Sequence, residues 1–166
     1  MLHLSADSMS CLIICEKNNA AQRISTILSS GSYNKSFVGK VPIFKFKFND
    51  KNCAVIGLRG HILGLDYPPE FRRWQIHNLE ELANTDPIKK PTIGTIASAL
   101  KSIAGDFNEI IIATDFDREG ELIGAEALEV INRKGLTIKR ARFSALTKYE
   151  VENAFDNLID LDMNLA

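Results

Sequence analysis

Hydrophobic positions along the chain follow two periods. Cys11 to Cys15 (CLIIC) and Glu109 to Thr114 (EIIIAT) carry apolar residues at successive positions, so both faces of each segment are buried; this predicts two central strands of a parallel sheet. Ile43 to Phe48 (IFKFKF) alternates instead. Phe44, Phe46 and Phe48 share one face, and Lys45 and Lys47 share the other, solvent-facing one. The turn NDKN leads from it into Cys53 to Leu58 (CAVIGL), which predicts a β-hairpin. Apolar residues at helical spacing predict helices over residues 17–31, closed by Gly31, and over 92–105, 118–134 and 147–159. Ile138 to Phe143 (IKRARF) predicts a further strand. Between residues 59 and 91 glycine, proline and charge dominate, with breakers at Pro68, Pro69 and Pro87, and the expectation is loops and short turns. Strands alternating with helices imply an α/β fold: a mostly parallel sheet with helices on both faces and an added β-hairpin.

Composition adds size and class. The 166 residues, 45% hydrophobic and 25% charged, suit one globular domain with a sizeable core. A net charge of −1 supplies no basic field, so a nucleic-acid partner would have to be recognised by local groups. Cys11, Cys15 and Cys53 are odd in number and form no CxxC pair, which signals neither a disulfide framework nor a zinc site. A reducing cytoplasm is the expected compartment. The apolar run near the start is far shorter than a membrane span and follows no basic region, so neither a signal peptide nor an anchor is expected. Residues 1–10 predict a loose tail, and no internal repeat or low-complexity segment is present.

Chemistry concentrates in IIIATDFDREGELIG, from Ile110 to Gly124, where Asp115, Asp117, Glu119 and Glu121 fall within seven positions. Ionised carboxylates at that spacing repel unless a cation or several donors offset them. Asp115 and Asp117 follow a central strand, and open α/β sheets bind ligands beyond the carboxyl ends of their strands. Glu16 follows CLIIC at the same edge; if the two strands are neighbours, these carboxylates face one crevice. Such a cluster suits a hard divalent cation, most simply magnesium, which keeps several waters and contacts substrate phosphates. Two other readings stay open. Negative charge at a helix N-terminus is favourable by about 0.3–1 kcal/mol per group, which accounts for one or two of the acids. DFDREGELIGAE also nearly fits a calcium loop, with Asp115, Asp117, Glu119, Gly120 and Glu126 at its key positions. Against it, GDFN and a strand-like segment precede the acids where a calcium loop needs an incoming helix.

Glu16 after a first strand, together with the later DFDRE run, resembles the Toprim signature shared by type IA and type II topoisomerases, bacterial-type primases and some nucleases. CEKNNAAQRISTIL resembles the type IA opening, GLRGHILGLDYPPEF its glycine-histidine segment, and RARFSALTKYEVENAF its exit from the domain. Together these cover nearly all of the chain from Cys11 onward, and the likeness is to the archaeal type IA DNA topoisomerases. The fold implied is the Toprim, Rossmann-like one over residues 11–159. LDMNLA resembles the start of the next type IA domain, so residues 160–166 are expected to begin it.

The resemblance implies roles. Type IA enzymes cut one DNA strand with a tyrosine in a later domain, and Tyr33, Tyr67 and Tyr149 sit in no motif like that site. The partners implied are therefore DNA, as a single-stranded segment, and the remaining topoisomerase domains, with no membrane and a monomeric state expected. The departing 3′ oxygen needs a proton that is taken back at religation, which makes Glu16 the candidate general acid and base. Lys17 is a point cation for the scissile phosphate or a solvated helix-start lysine. Asp115, Asp117 and Glu119 are the expected Mg2+ ligands, and Glu121 is expected to support them or face solvent. Arg118 touches phosphate or neutralises its neighbours. Arg59 and His61 lie in a glycine-flanked loop that approaches a DNA backbone or is structural. Where many relatives place proline and a small residue after the glutamate-lysine pair, this chain has Asn18 and Asn19, which favour helix capping and imply a different local turn. A primase or nuclease Toprim, or a non-catalytic calcium module, is the alternative function.

Overall fold

The computed structural model describes residues 10–71 and 79–161; the expected tail at 1–9, part of the expected loop region at 72–78 and most of the expected next-domain start at 162–166 lie outside the described residues. The central strand is β1 (Ser10–Cys15), followed by α1 (Asn18–Leu28), β2 (Asn34–Val38), β3 (Val41–Phe48) and β4 (Lys51–Gly57). Next come β5 (Leu63–Asp66), a 3-10 turn (Pro69–Phe71), α2 (Leu79–Ala83), β6 (Ile88–Pro91) and α3 (Gly94–Ala104). The chain closes with β7 (Glu109–Ile112), α4 (Arg118–Ile131), β8 (Thr137–Arg140), α5 (Lys148–Asp156) and β9 (Ile159–Asp160).

Seven strands form one sheet in the order β2-β3-β4-β1-β7-β8-β9. β1 pairs in parallel with both β4 and β7, and β7 with β8, while the outer pairs are antiparallel. The run CLIIC is apolar throughout because alternate residues enter different layers. Leu12 and Ile14 join the cluster under α3 and α4, whereas Cys11, Ile13 and Cys15 join the one under α1 and α5. The expected α/β sandwich is therefore present, and Lys45 and Lys47 are exposed as the alternation of β3 requires.

Three expectations need correction. The hairpin is a three-stranded meander, because Asn34–Val38 pairs with β3 at the sheet edge; its polar, largely exposed residues carry no burial pattern to mark it. Residues 59–91 are not all loop, since β5 and β6 pair as a separate two-stranded antiparallel sheet. The final helix stops at Asp156, and Ile159–Asp160 pairs with β8 instead, meeting the edge that β8 would otherwise leave open. Among the described residues no helix is long and apolar enough to cross a membrane.

The connections prepare a site. β1 leads into α1 on one face of the sheet and β7 leads into α4 on the other. Their exits diverge, and a crevice opens between the carboxyl ends of these two neighbouring strands.

Candidate functional site at the carboxyl edge of the sheet

Glu16 sits at the end of β1 with its side chain buried, and Lys17 Nζ approaches Glu16 Oε1 to 2.6 Å. The backbone here is fixed from β4: Leu58 N–H donates to the Cys15 carbonyl, Gly60 N–H to the Glu16 carbonyl, and Lys17 bridges Arg59. Gly57 is required, because a Cβ there would lie 2.6 Å from the backbone of Asn18. This packing also decides the turn into α1, which Asn18 and Asn19 were expected to cap. Neither Asn18 nor Asn19 caps α1; the cap position falls to Lys17, in extended conformation and without a side-chain cap, and Asn18 Oδ1 is buried with no partner among the described residues.

The acidic run leaves β7 through Ala113, whose N–H donates to the Ile14 carbonyl, and buried Thr114, whose hydroxyl donates to the Gly120 carbonyl. Asp117 is the N-cap of α4, accepting from Gly120 N–H at 2.7 Å. Gly120 lies so close to this loop that a Cβ would come within 2.0 Å of the Asp115 carbonyl oxygen. One acid thus does what a helix N-terminus alone would ask of it. Asp115 and Glu119 are exposed, and among the described residues the Asp115 carboxylate accepts no hydrogen bond.

Charge links the two strand ends. The Lys17 ammonium is held above its ordinary value first by its hydrogen bond to Glu16, with Asp115 and Glu119 adding to the effect. The Cys15 thiol is pushed up by burial and then by the Asp115 charge. The parallel register of β1 and β7 places Glu16, Lys17 and Asp115 just beyond neighbouring strand ends at one edge of the sheet, with Glu119 in the first turn of α4 after them. His61 reaches it from the segment after β4: its Nε2 lies 3.9 Å from Glu119 Oε1 and its Nδ1 lies 3.0 Å from Glu126 Oε1.

Arg118 is exposed at the first turn of α4, and among the described residues its side chain makes no hydrogen bond or ion pair. Arg59 faces a neighbouring cavity of about 130 Å3, which it lines with Asn18, Lys40 and Thr95.

The partners of three supporting residues escape sequence reasoning. Glu121 neither faces solvent nor supports the other acids directly: it is buried, and Arg140 Nε donates to its Oε1 at 2.6 Å. Arg140, 1% exposed, also donates to the carbonyls of Ile112, Thr114, Ala141 and Asp115, at 2.7 to 3.3 Å, so one guanidinium fixes the whole exit of β7. Glu126 accepts from Ile62 N–H and Leu63 N–H through Oε2 and faces His61 through Oε1. A calcium loop is thereby ruled out, because α4 begins inside it and both oxygens of its last ligand are engaged elsewhere. A charged residue in a strand and a glutamate inside a helix gave no signal of these partners.

A hard cation fits the donors in kind. Asp115 and Glu119 offer exposed carboxylates and Asp117 retains one uncapped oxygen, yet among the described residues no three such groups converge as a ready-made metal site. Waters would complete the shell of an ion such as Mg2+.

A family model described as the Toprim domain matches residues 11–146. The chain is 43% identical over 160 residues to "DNA topoisomerase 1" of Archaeoglobus fulgidus, an alignment covering 95% of this chain and 24% of that protein. It is 37% identical over 155 residues to "DNA topoisomerase 1" of Thermoplasma acidophilum, covering 93% and 20%. It is also 31% identical over 165 residues to human "DNA topoisomerase 3-alpha", covering 93% and 16%. The chain thus spans about a quarter or less of the length of these relatives.

Proposed function

The chain belongs to the Toprim domain family, and from that premise we propose that it serves as the Toprim domain of a type IA DNA topoisomerase, acting on single-stranded DNA segments to change DNA topology. The observation that carries this reading is the meeting of Glu16 and Lys17 with the acidic run at the edge of two neighbouring parallel strands. The names of the relatives favour a topoisomerase over a primase or nuclease. On this reading residues 11–159 are the domain, residues 160–166 begin the next one, and the nucleophilic tyrosine belongs to another domain of the enzyme, which works in the cytoplasm.

The residues divide the chemistry between them. Glu16 gives a proton to the 3′ oxygen that departs when a tyrosine attacks the phosphodiester, and takes it back at religation. Lys17, hydrogen-bonded to one Glu16 oxygen, keeps that carboxylate aimed and faces the phosphate with its remaining donors. Asp115, Asp117 and Glu119, with waters, would hold Mg2+, which when bound would neutralise charge around the phosphate. Arg59, His61 and Arg118 border the path of the DNA backbone, and Arg140 and Glu126 are positioning residues that fix the acidic loop and the His61 segment.

The test joins binding to activity. Calorimetry of the 166-residue chain should show weak Mg2+ binding that Asp115→Asn lowers and Glu16→Ala leaves in place, with no tight calcium site. Installed in place of the matching segment of the Archaeoglobus relative, the chain should support relaxation of supercoiled DNA, and Glu16→Ala should abolish it. Micromolar calcium binding lost on Glu126→Gln, or relaxation unaffected by Glu16→Ala, would overturn the assignment.

A further inference from the structure

At the edge of the sheet opposite the acids, Cys11 on β1 and Cys53 on β4 are register partners. Both are buried, at 1% and 3% exposure, and their sulfurs lie 2.7 Å apart. Neighbouring strands are about 4.8 Å apart, within the roughly 4.4–6.8 Å of Cα separation that a disulfide spans. Joining these sulfurs therefore asks for no movement of the strands. Cys15 lies at the far end of β1, buried and with no sulfur in contact among the described residues.

The pair also has access and activation. Both cysteines line a cavity of about 60 Å3 with Phe48, Asn49, Lys51 and Phe155. A water needs only about 10–15 Å3 of such space, so a small peroxide fits. Lys51 Nζ bonds Glu109 Oε2 at 2.7 Å beside the sulfurs. The two sulfurs share one hydrogen bond that either can donate, and the Lys51 charge favours the thiolate at both while burial opposes it. Either cysteine can therefore be the nucleophile, with its neighbour as the resolving thiol.

We propose that Cys11 and Cys53 form a redox-active pair that hydrogen peroxide converts into a reversible disulfide joining β1 to β4. The thiolate of one cysteine attacks one peroxide oxygen, the O–O bond breaks, and the departing hydroxide leaves as water with the proton that this cysteine shed. The sulfur of the other cysteine then attacks the resulting sulfenic acid. The S–S bond forms, the S–O bond breaks, and the hydroxyl leaves as water with the second thiol's proton, so two thiols and one peroxide give one disulfide and two waters. The bond ties together the strands whose other ends carry Glu16 and the Arg59–His61 segment, without touching the crevice between β1 and β7.

Thiol counting on the unsubstituted chain tests this. After reduction, denaturing alkylation should label all three cysteines. After stoichiometric hydrogen peroxide it should label Cys15 alone, and a digest should contain the Cys11 and Cys53 peptides as one linked species that reductant separates. The melting midpoint should rise by roughly 5–10 °C on oxidation and return on reduction. Cys53→Ser should remove both changes. Three labelled thiols after peroxide, a linkage through Cys15 or between two chains, or overoxidation of Cys11 or Cys53 without a bond would overturn the proposal.

Discussion

Asp117 holds two roles that substitution can separate. Its Oδ1 caps α4 through Gly120 N–H, which leaves its other oxygen uncapped for the proposed ion. Asparagine is as good a cap as aspartate, whereas alanine at such a position costs about 1 kcal/mol. Asp117→Asn should therefore leave stability within about 0.5 kcal/mol of the parent, helped by relief of repulsion among the acids, and Asp117→Ala should lower it by about 1 kcal/mol. Both should weaken Mg2+ binding. Urea denaturation and calorimetry on the same preparations measure the two effects, and an equal loss of stability in both variants would mean that the cap is not what Asp117 contributes to the fold.

At the scale of elements, α4 is held in its first turn and at its middle by buried carboxylates as well as by apolar contact. Glu121 in its first turn meets Arg140 of β8, and Glu126 a turn later holds the segment that leads into β5. Removing one partner of a buried pair leaves an uncompensated charge, at a cost of about 3–5 kcal/mol. Arg140→Met should destabilise by that amount and also remove a donor from four carbonyls around the acidic loop, of which Ile112 alone keeps the Ala141 N–H among the described residues, weakening Mg2+ binding at a distance. Adding Glu121→Met should recover part of the stability, because the stranded carboxylate is gone while the carbonyls stay without their donor. Equilibrium unfolding of the single and double variants decides it: a double variant less stable than Arg140→Met would show that the pair is not coupled.

At the scale of the molecule, β1 belongs to both apolar layers at once. Leu12 faces the α3 and α4 side and Ile13 the α1 and α5 side, each fully buried. Truncating either to alanine should cost about 2–5 kcal/mol and shift one cooperative transition; near- and far-ultraviolet dichroism that separate on heating would show two independently melting layers instead. The same strand shows what local sequence can express. Unbroken apolar runs made β1 and β7 legible, and position after those runs was enough to mark Glu16 and Asp115, because a strand's burial depends on its own residues. Edge strands β2, β5, β6 and β9 were not legible, since little of them is buried and their pairing is supplied by a neighbour's open backbone. Periodicity and the scarcity of charge in central strands specify the alternation, the two-faced core and the acids at its edge. Packing in three dimensions was needed to bring β1 beside β7, to turn Arg140 and Glu126 inward behind the acidic loop and the His61 segment, and to set Cys11 against Cys53. Those pairs lie 19, 65 and 42 positions apart from Glu121, His61 and each other respectively, and over such separations a side chain's partner is chosen by how the layers pack, which no local pattern records.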